Sequence, residues 1–389
     1  MGCSTTDRPA GPVVAVVGGG IAGLTVAIML ARAGIDCTVH EQTDHSGQTG
    51  AGIQLSPNGT RLLCHAGLAA PLAAVSVRPT AIELRRWRDG AILHRTELGA
   101  AGELRYGAPY YTLHRAALHR LLAARVTTVR GEHRCVGVTE HPDGVELRFS
   151  DGSTSRADLV VGADGLHSVV RASLVADRPR GCGLTVHRGL VSASALRGSV
   201  LSRDPSVRIW LGPGGHVVSY PISAGAWWNL VAVLPTGTEP SDAYDGWDPL
   251  VHDLLRATGR LTGAPLYERP MAPRWCTRRI VLVGDAAHAL LPFGAQGANQ
   301  AIEDAAALAV CLRGVAAARV PDALLRYERL RVPRLARVAA MVDANRDSHH
   351  LADGPRQRRR DDAARVERAG SDAHAWLFGY DAQLAGRQP

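Results

Sequence analysis

Residues 13–23, VVAVVGGGIAG, decide the fold of the first part of this chain. The apolar, β-branched run Pro12–Val17 predicts a strand that ends in glycines, and a helical pattern follows over residues 22–33. Gly34 ends that pattern, and residues 35–40 predict a second strand. The order strand, glycine turn, helix, strand is typical of a nucleotide-binding β-α-β unit.

The glycines of this stretch fit the spacing G-x-G-x-x-G, and each has a separate physical task. Gly18 permits the tight turn, Gly20 lets the backbone approach a pyrophosphate, and Gly23 packs the helix on the strand. The helix N-terminus offers free N–H groups and the positive end of its dipole to phosphates. We therefore assign Gly18, Gly20, Ala22 and Gly23 to a dinucleotide cofactor.

Glu41 stands at the end of the second predicted strand, 21 residues after Gly20. A carboxylate at this place can hold a ribose hydroxyl, and an acid rather than a basic residue favours a ligand without a 2′-phosphate. This motif alone leaves both NAD and FAD possible.

Two later segments also end an apolar strand in glycine. Residues 159–161 lead into Gly162–Gly165, and residues 280–283 lead into Gly284. Ligands of α/β folds lie at such carboxyl ends of parallel strands. The stretch between them, residues 176–272, instead shows β-type segments broken by Gly and Pro, which predicts an inserted, largely antiparallel sheet.

The composition of the 389 residues excludes several classes of protein. The net charge is +8 and every one of the 44 basic residues is arginine, so lysine chemistry is absent. The arginines are scattered apart from the cluster at 356–360, so we expect no nucleic-acid binding. The seven cysteines form no CxxC pair, which favours reduced thiols and no metal site. No apolar run reaches the length of about 18 residues that spans a membrane, so we expect a cytoplasmic protein without membrane anchoring. The abundance of Ala and Arg favours a high-GC bacterial source.

Three separated segments together resemble the para-hydroxybenzoate hydroxylase family of flavoprotein monooxygenases. The first is the glycine fingerprint above. The second is residues 162–171, GADGLHSVVR, and the third is residues 284–304, GDAAHALLPFGAQGANQAIED. The resemblance covers about residues 12–335, and the run GAGIQLSPN at 50–58 further resembles the branch that contains salicylate and 6-hydroxynicotinate hydroxylases.

The resemblance implies noncovalent FAD and gives roles to matching residues. Asp285 would bind the ribityl chain, Asp164 would shape the turn near the pyrophosphate, and Arg115 would contact the flavin nucleotide. The loop and helix start of the third segment would also bind the cofactor, through Pro292, Gly297, Ala298 and Asn299. A helix N-terminus aimed at the flavin would stabilise its anionic reduced form.

Three acidic or basic residues of the third segment stay outside the expected site. Glu303 and Asp304 suit the dipole of the predicted helix, residues 298–312, without any ligand. His288 is expected to be structural. Gln42 stands where many members of that family carry a basic residue, so this chain departs from the family pattern at one nucleotide contact.

The expected fold class is α/β: a Rossmann-type FAD-binding domain with an inserted, mainly antiparallel β substrate domain and C-terminal helices. We expect the FAD-binding domain in three parts, residues 12–77, 111–175 and 273–330. Residues 78–110 and 176–272 would form the substrate domain, and residues 331–389 a C-terminal helical segment.

The expected function is hydroxylation of a small electron-rich aromatic or heteroaromatic substrate through an FAD C4a-hydroperoxide, with NADH or NADPH and O2. A single dinucleotide fingerprint predicts that the nicotinamide cofactor binds transiently. Two alternatives stay open: another flavoenzyme of the same fold, such as a reductase or epoxidase, and a non-catalytic flavin-binding protein. The sequence does not fix the oligomeric state or the substrate.

Candidate substrate-side residues lie mainly on the inserted sheet. His216 and Tyr220 are four residues apart in one predicted strand, so both point to the same face, and we expect them to be the catalytic pair. Arg188 could meet a substrate carboxylate. Phe293 and His45 are further candidates for substrate contact.

Overall fold

The computed structural model describes residues 11–44, 51–366 and 373–386. The strands in these residues are, in chain order, β1 (Val14–Val17), β2 (Cys37–His40), β3 (Gly52–Leu55), β4 (Ala81–Arg86), β5 (Ile92–Glu97), β6 (Tyr111–His114), β7 (Val129–Arg130), β8 (Cys135–His141), β9 (Gly144–Phe149), β10 (Thr154–Ala157), β11 (Leu159–Gly162), β12 (Arg180–Ser192), β13 (Val207–Gly212), β14 (Gly215–Ile222), β15 (Trp227–Pro235), β16 (Thr262–Glu268) and β17 (Ile280–Leu282).

The α-helices of the same residues are α1 (Ile21–Arg32), α2 (Pro57–Leu63), α3 (Ala69–Val75), α4 (Gly99–Tyr106), α5 (Arg115–Ala123), α6 (Val169–Ala172), α7 (Pro240–Ala243), α8 (Pro249–Thr258), α9 (Asp285–His288), α10 (Gly297–Leu312), α11 (Val320–His349), α12 (Pro355–Val366), α13 (Ala375–Phe378) and α14 (Ala382–Ala385). Among the described residues, no helix is both long and apolar enough to cross a membrane.

A parallel sheet forms the nucleotide-binding half, in the order β17-β11-β1-β2-β7. Every residue of β1 and β11 is buried, because helices cover both faces of a parallel sheet and apolar runs are needed on both sides. The carboxyl ends of β1, β11 and β17 meet at one edge. The three glycine segments of the sequence therefore come together there.

The second half is a seven-stranded sheet in the order β16-β12-β15-β14-β13-β4-β5. Its neighbours are antiparallel except for β13 and β4, which run parallel. Strands from residues 81–97 thus pair with strands from residues 180–268 in one sheet. The expected fold class, an α/β nucleotide-binding fold with a mainly antiparallel second sheet and C-terminal helices, is confirmed.

Helix α11 connects the two halves. Its first part packs on α10, and its last residue, His349, contacts the ring of His216 on β14, with ring centres 5.2 Å apart. The helix begins at Val320, with a proline in its first turn, and continues through Pro333. Residue 331 therefore lies inside one continuous helix.

Candidate active site

A cavity of about 420 Å³ lies between the two sheets. One wall comes from the glycine segments of the nucleotide-binding half, and the other comes from β12, β14 and β15. Its polar and charged lining side chains are Gln54, Arg115, Arg188, His216, Tyr220, Asp285 and Gln296.

The fingerprint glycines occupy three different environments. Gly18 has φ +104°, and a Cβ there would stand 2.5 Å from the carbonyl oxygen of Ala163. At Gly23 a Cβ would overlap the carbonyl oxygen of Gly18. Gly20 lines the cavity, and a Cβ there would meet no protein atom within 4 Å. Gly18 and Gly23 therefore allow the turn to pack, whereas Gly20 leaves space for a ligand.

Glu41 holds the fingerprint turn from the end of β2. Its carboxylate accepts a hydrogen bond from the Gly19 amide at 2.6 Å and two from Thr43, at 3.0 Å from the amide and 2.9 Å from the hydroxyl. These bonds fix the carboxylate next to the turn, where a ribose would lie. The contact to a ribose hydroxyl stays a prediction.

Asp164 organises the second glycine segment. Its carboxylate accepts hydrogen bonds from the Val169 amide at 2.7 Å, the Val170 amide at 3.1 Å and the Ser168 hydroxyl. Burial raises the pKa of this carboxyl, and the hydrogen bonds oppose that shift. Asp164 thus shapes the turn, while the neighbouring Ala163 and Gly165 line the cavity.

Asp285 follows β17 and lines the cavity. Its side chain is solvent-accessible, and the accessible space is the cavity itself. Enclosure by protein raises its pKa, and attraction to His288 and Arg115 opposes the shift. Arg115, at the start of α5, lines the same cavity.

Two helix N-termini face this cavity. Helix α1 starts next to Gly20, and α10 starts at Gly297, and neither has a side-chain capping bond. Pro292, Gly297, Ala298 and Ala22 line the cavity as well. Free N–H groups and two positive helix ends make this wall suited to phosphates and to an electron-rich ring system.

Asn299 is placed differently from the other expected cofactor residues. It is buried below the lining, and its side chain ties two loops together: Oδ1 accepts from the Ser56 amide at 3.1 Å, and Nδ2 donates to the Gln54 and Ala295 carbonyls at 3.2 and 2.8 Å. Asn299 therefore positions the loop that faces the cavity.

The residues present fit FAD. The cavity wall carries no side chain at Gly20 and Gly165, where an added Cβ would meet open space. The uncapped start of α10 lies on the same cavity. Asp285 projects into the same space without a hydrogen bond to any other described residue. Gly20, Arg115, Asp285 and the 292–298 loop would hold the cofactor.

The opposite wall carries the expected substrate-side residues. His216 and Tyr220 are both buried and both line the cavity, as their shared face of β14 predicts. Burial raises the pKa of Tyr220, and Arg188 and a hydrogen bond with Gln54 oppose this shift. The Tyr220 ring lies over Gly52, where a Cβ would come 2.7 Å from the ring.

Arg188 has no acidic partner in the part of the chain that the structure describes. It lies half-buried on β12 and lines the cavity, and it makes no hydrogen bond or ion pair with any other described residue. Burial lowers its pKa, and repulsion from Arg115 adds to that effect. An unpaired, desolvated guanidinium favours a carboxylate ligand.

A second chamber of about 160 Å³ opens behind His216. It shares six lining residues with the main cavity, namely Gln54, His216, Val218, Pro292, Ala295 and Gln296. Phe293 lines only this chamber and packs against His216, with ring centres 5.4 Å apart. Phe293 therefore supports His216 and lies outside the main cavity. His45 lies outside the described residues.

The sequence analysis missed several residues of this region. Gln54 lines both cavities and accepts a hydrogen bond from the Tyr110 hydroxyl at 2.7 Å. Gln296 also lines both cavities and donates from Nε2 to the Ser56 hydroxyl at 3.0 Å. His349 and His350 reach His216 from the end of α11. In the sequence, only their position inside the quoted motifs pointed to Gln54 and Gln296. Nothing near His349 and His350 in the sequence indicated a place at the site.

Comparison with known proteins identifies a single family. A family model described as FAD binding domain matches residues 12–343. A 3-amino-4-hydroxybenzoate 2-monooxygenase of Streptomyces platensis is 48% identical over 98% of this chain and 98% of its own. The enzyme of that name from Streptomyces cremeus is 45% identical, covering 95% and 96%. A 6-hydroxynicotinate 3-monooxygenase of Pseudomonas fluorescens is 32% identical, covering 86% and 91%.

Two solved structures of FAD-dependent or related enzymes are similar to this chain in fold. Klebsiella pneumoniae HpxO complexed with FAD and uric acid has a TM-score of 0.84 at 26% identity and covers 96% of this chain and 97% of its own. A salicylate hydroxylase substrate complex has a TM-score of 0.81 at 25% identity, covering 97% and 98%.

Proposed function

Because the chain belongs to the family of flavoproteins defined by this FAD binding domain, we propose that it hydroxylates an aromatic acid of the 3-amino-4-hydroxybenzoate type. The chain is an FAD-dependent aromatic monooxygenase that uses NAD(P)H and O2. Bound FAD, once reduced by NAD(P)H, supplies the activated oxygen, of which one atom enters the ring and the other leaves as water.

Whole-length similarity supports this substrate class. Two relatives that share 48% and 45% of their residues with this chain carry the name 3-amino-4-hydroxybenzoate 2-monooxygenase. We propose the same position of attack, the carbon next to the amine, because the nitrogen lone pair donates electron density to that carbon. An electron-rich carbon is what an electrophilic oxygen requires.

The unpaired Arg188 is the single structural observation that carries the proposal. A benzoate carboxylate would supply the missing anion, and a charge-assisted hydrogen bond to this half-buried arginine would contribute about 1.5–3 kcal/mol. The side chains between Arg188 and His216 on this wall are apolar: Val218, Val231 and Val233. They match the faces of an aromatic ring.

Tyr220 and His216 give the same wall its polar groups. The raised pKa of Tyr220 keeps its hydroxyl protonated at neutral pH, so it can donate to a substrate oxygen. Burial lowers the pKa of His216 well below its usual range, so its ring is neutral and can donate or accept a hydrogen bond. Together they can orient a phenol in the cavity.

We also place the enzyme in the cytoplasm, where NAD(P)H is available. The cysteines at 37, 64, 135, 182, 276 and 311 are all unpaired, which supports a reducing compartment.

The test is a substrate screen on the purified flavoprotein. Oxidation of NADH and of NADPH is followed with 3-amino-4-hydroxybenzoate, 4-hydroxybenzoate, 3-hydroxybenzoate and 6-hydroxynicotinate. Product mass, ring NMR and hydrogen peroxide are measured in each case. Coupled addition of one oxygen next to the amine of the first compound is expected. Coupled turnover of one of the other compounds alone would contradict the proposal.

A further inference from the structure

A single row of side chains crosses the second sheet from the main cavity into the second chamber. Each member is the direct register partner of the next on the neighbouring strand, in the order Arg188, Val231, Val218, Ile209, Leu84 and His94. The first three line the main cavity and the last four line the second chamber, so Val218 belongs to both. With about 4.8 Å between neighbouring strands, the row is about 24 Å long.

A benzoate bound at Arg188 leaves more than half of this row uncovered. From its carboxylate to the groups on the far side of the ring, a benzoate is shorter than two strand spacings, which are about 10 Å. Its far side therefore ends near Val218, where the second chamber begins. A group attached to that side of the ring would continue over Ile209 and Leu84.

The second chamber has the volume and the lining of a site for an apolar group. Its volume is about 160 Å³, which is close to that of apolar cavities of about 150 Å³ that bind benzene. Its apolar lining comes from the sheet, from the loop after α9, from α11 and from the C-terminal segment, and it includes Ile82, Leu84, Ile209, Phe293, Met341 and Leu377.

Polar side chains of the chamber are paired within the protein. Nε2 of His94 lies 3.2 Å from the Thr96 hydroxyl, and its Nδ1 lies 3.3 Å from the Ala364 carbonyl oxygen. The Tyr110 hydroxyl donates to Gln54 at 2.7 Å. A ligand group that enters the chamber needs no hydrogen bond to these side chains, and it is stabilised by burial of its apolar surface.

The C-terminal segment, residues 373–386, contributes a wall that is fixed in place. Leu377 of this segment lines the chamber. Two arginines hold the backbone of the segment: Arg334 donates to the Leu377 carbonyl at 3.0 Å, and Arg61 donates to the Tyr380 carbonyl at 2.8 Å. Because this wall is held by hydrogen bonds, we expect the chamber to set an upper limit on the size of the group that it accepts.

We propose that the second chamber binds an apolar substituent of the substrate, up to about the size of a phenyl ring, on the side of the ring remote from the carboxylate. The inference rests on the proposed function, because it starts from a carboxylate at Arg188. In 3-amino-4-hydroxybenzoate the amine is the place for such a group, since an alkylated nitrogen keeps the lone pair that activates the ring. Leu84 and Ile209 are then specificity-determining residues.

The experiment measures Kd on the FAD-loaded enzyme without NAD(P)H, from the change that each compound causes in the flavin absorption spectrum. The compounds are 3-amino-4-hydroxybenzoate and its N-methyl, N-ethyl, N-propyl, N-benzyl and N-naphthylmethyl derivatives. Each added CH2 should lower Kd by about fourfold, and the benzyl derivative should bind most tightly. The naphthylmethyl derivative should bind no better than the parent acid. A Kd that stays constant or rises from the parent to the benzyl derivative would overturn the inference.

Substitutions of Leu84 change the volume of the chamber without touching the main cavity. Leu84→Phe should raise Kd for the benzyl derivative by about tenfold or more and leave Kd and turnover of the parent acid unchanged. Leu84→Ala should admit the naphthylmethyl derivative. Leu84→Met keeps the side-chain volume, so it is the matched control and should behave as wild type. Equal weakening of both compounds in Leu84→Phe, or no change in either, would place the substituent elsewhere.

The same data separate this inference from the proposed function. If the parent acid binds and is hydroxylated but its alkyl derivatives bind no better, the substrate class stands and the second chamber is not a substituent site. If the parent acid does not bind, the substrate class is wrong. The alkyl series is then made on the aromatic acid that the substrate screen identifies, and the same order of Kd values is required.

Discussion

At the scale of single residues, some fingerprint glycines are required by the packing of the fold, and another is required by the ligand. Gly23 faces the carbonyl oxygen of Gly18, so any side chain there disturbs the turn itself. Gly20 faces the cavity and open space. Substitutions at the two positions should therefore fail in different ways.

Gly20→Val should give folded protein without flavin, because the added side chain occupies the space through which a phosphate approaches. Asp285→Ala should also lose flavin, since it removes the carboxylate that projects into the cavity. Flavin content per chain and thermal unfolding check both variants. Gly23→Ala is the control and should lose folded protein as well as flavin. Full flavin occupancy in Gly20→Val or Asp285→Ala would show that the cofactor lies elsewhere.

Arg188 tests whether the substrate is an acid. Arg188→Gln should raise KM for the carboxylated substrate by about 10–100-fold, which corresponds to loss of a charge-assisted hydrogen bond. FAD content should be unchanged. The matched control is the carboxamide analogue of the substrate, for which wild type and variant should give similar KM values. An unchanged KM for the acid would assign the carboxylate to another residue.

Tyr220→Phe should slow product formation by about 10–100-fold through loss of one buried hydrogen bond. The phenylalanine keeps the packing over Gly52, so FAD content and unfolding temperature should stay the same. His216→Ala should likewise slow hydroxylation more than it changes FAD content. Product yield and peroxide release per NAD(P)H consumed are the measurements. Normal coupled turnover in both variants would mean that β14 does not carry the catalytic groups.

At the scale of elements, α10 and α11 are joined by a buried ion cluster. Arg331 donates to Glu303 at 2.6 Å and to Asp304 at 2.8 Å, and Arg334 donates to Glu303 at 3.0 Å. His288 completes the cluster through a 2.6 Å contact between its Nε2 and Asp304. The expectation that Glu303 and Asp304 merely suit a helix dipole was incomplete, because both carboxylates are fully buried and paired.

This cluster should make the protein sensitive to acid. Burial raises the pKa of Asp304, but His288 and Arg331 outweigh it and bring the value from 3.8 down to about 2. A lowered folded-state pKa stabilises the fold above the unfolded-state value, and this stabilisation is lost as pH falls through the folded-state value. The free energy of unfolding should therefore drop between about pH 4 and pH 2, measured by denaturant titration at several pH values. Asp304→Asn should be less stable near neutral pH and show a smaller drop, and an equal drop in both proteins would contradict this assignment.

At the scale of the whole molecule, FAD bound in the cavity between the two halves should stabilise both. FAD is expected to bind noncovalently, so denaturation should release all the flavin into solution. Among the described residues, no cysteine lines the cavity. Thermal stability should rise with added FAD, by about 2.7 kcal/mol at a free concentration of 100 times Kd. Flavin that stays with the denatured chain, or an unfolding temperature independent of FAD, would contradict noncovalent binding.

The sequence by itself determined the parts of this protein that depend on local backbone geometry. The strand, turn and helix of the fingerprint, and the strands ending at Gly162 and Gly284, are encoded by residues a few positions apart. Glycine is required where the chain turns tightly or approaches a ligand, and such positions can be recognised in the amino-acid sequence alone. The shared face of His216 and Tyr220 follows from the two-residue period of a strand in the same way.

Only the tertiary structure decided which distant residues meet these elements. His216 meets His350 across 134 positions of sequence, Arg188 meets no acid among the described residues, and Arg331 pairs with the buried Glu303 and Asp304. Periodicity shows which face of an element is buried but not which element covers it, because that depends on how helices and sheets pack. The domain boundaries and the roles of the site residues stay predictions for the same reason. Both depend on contacts between distant residues that form only in the folded protein.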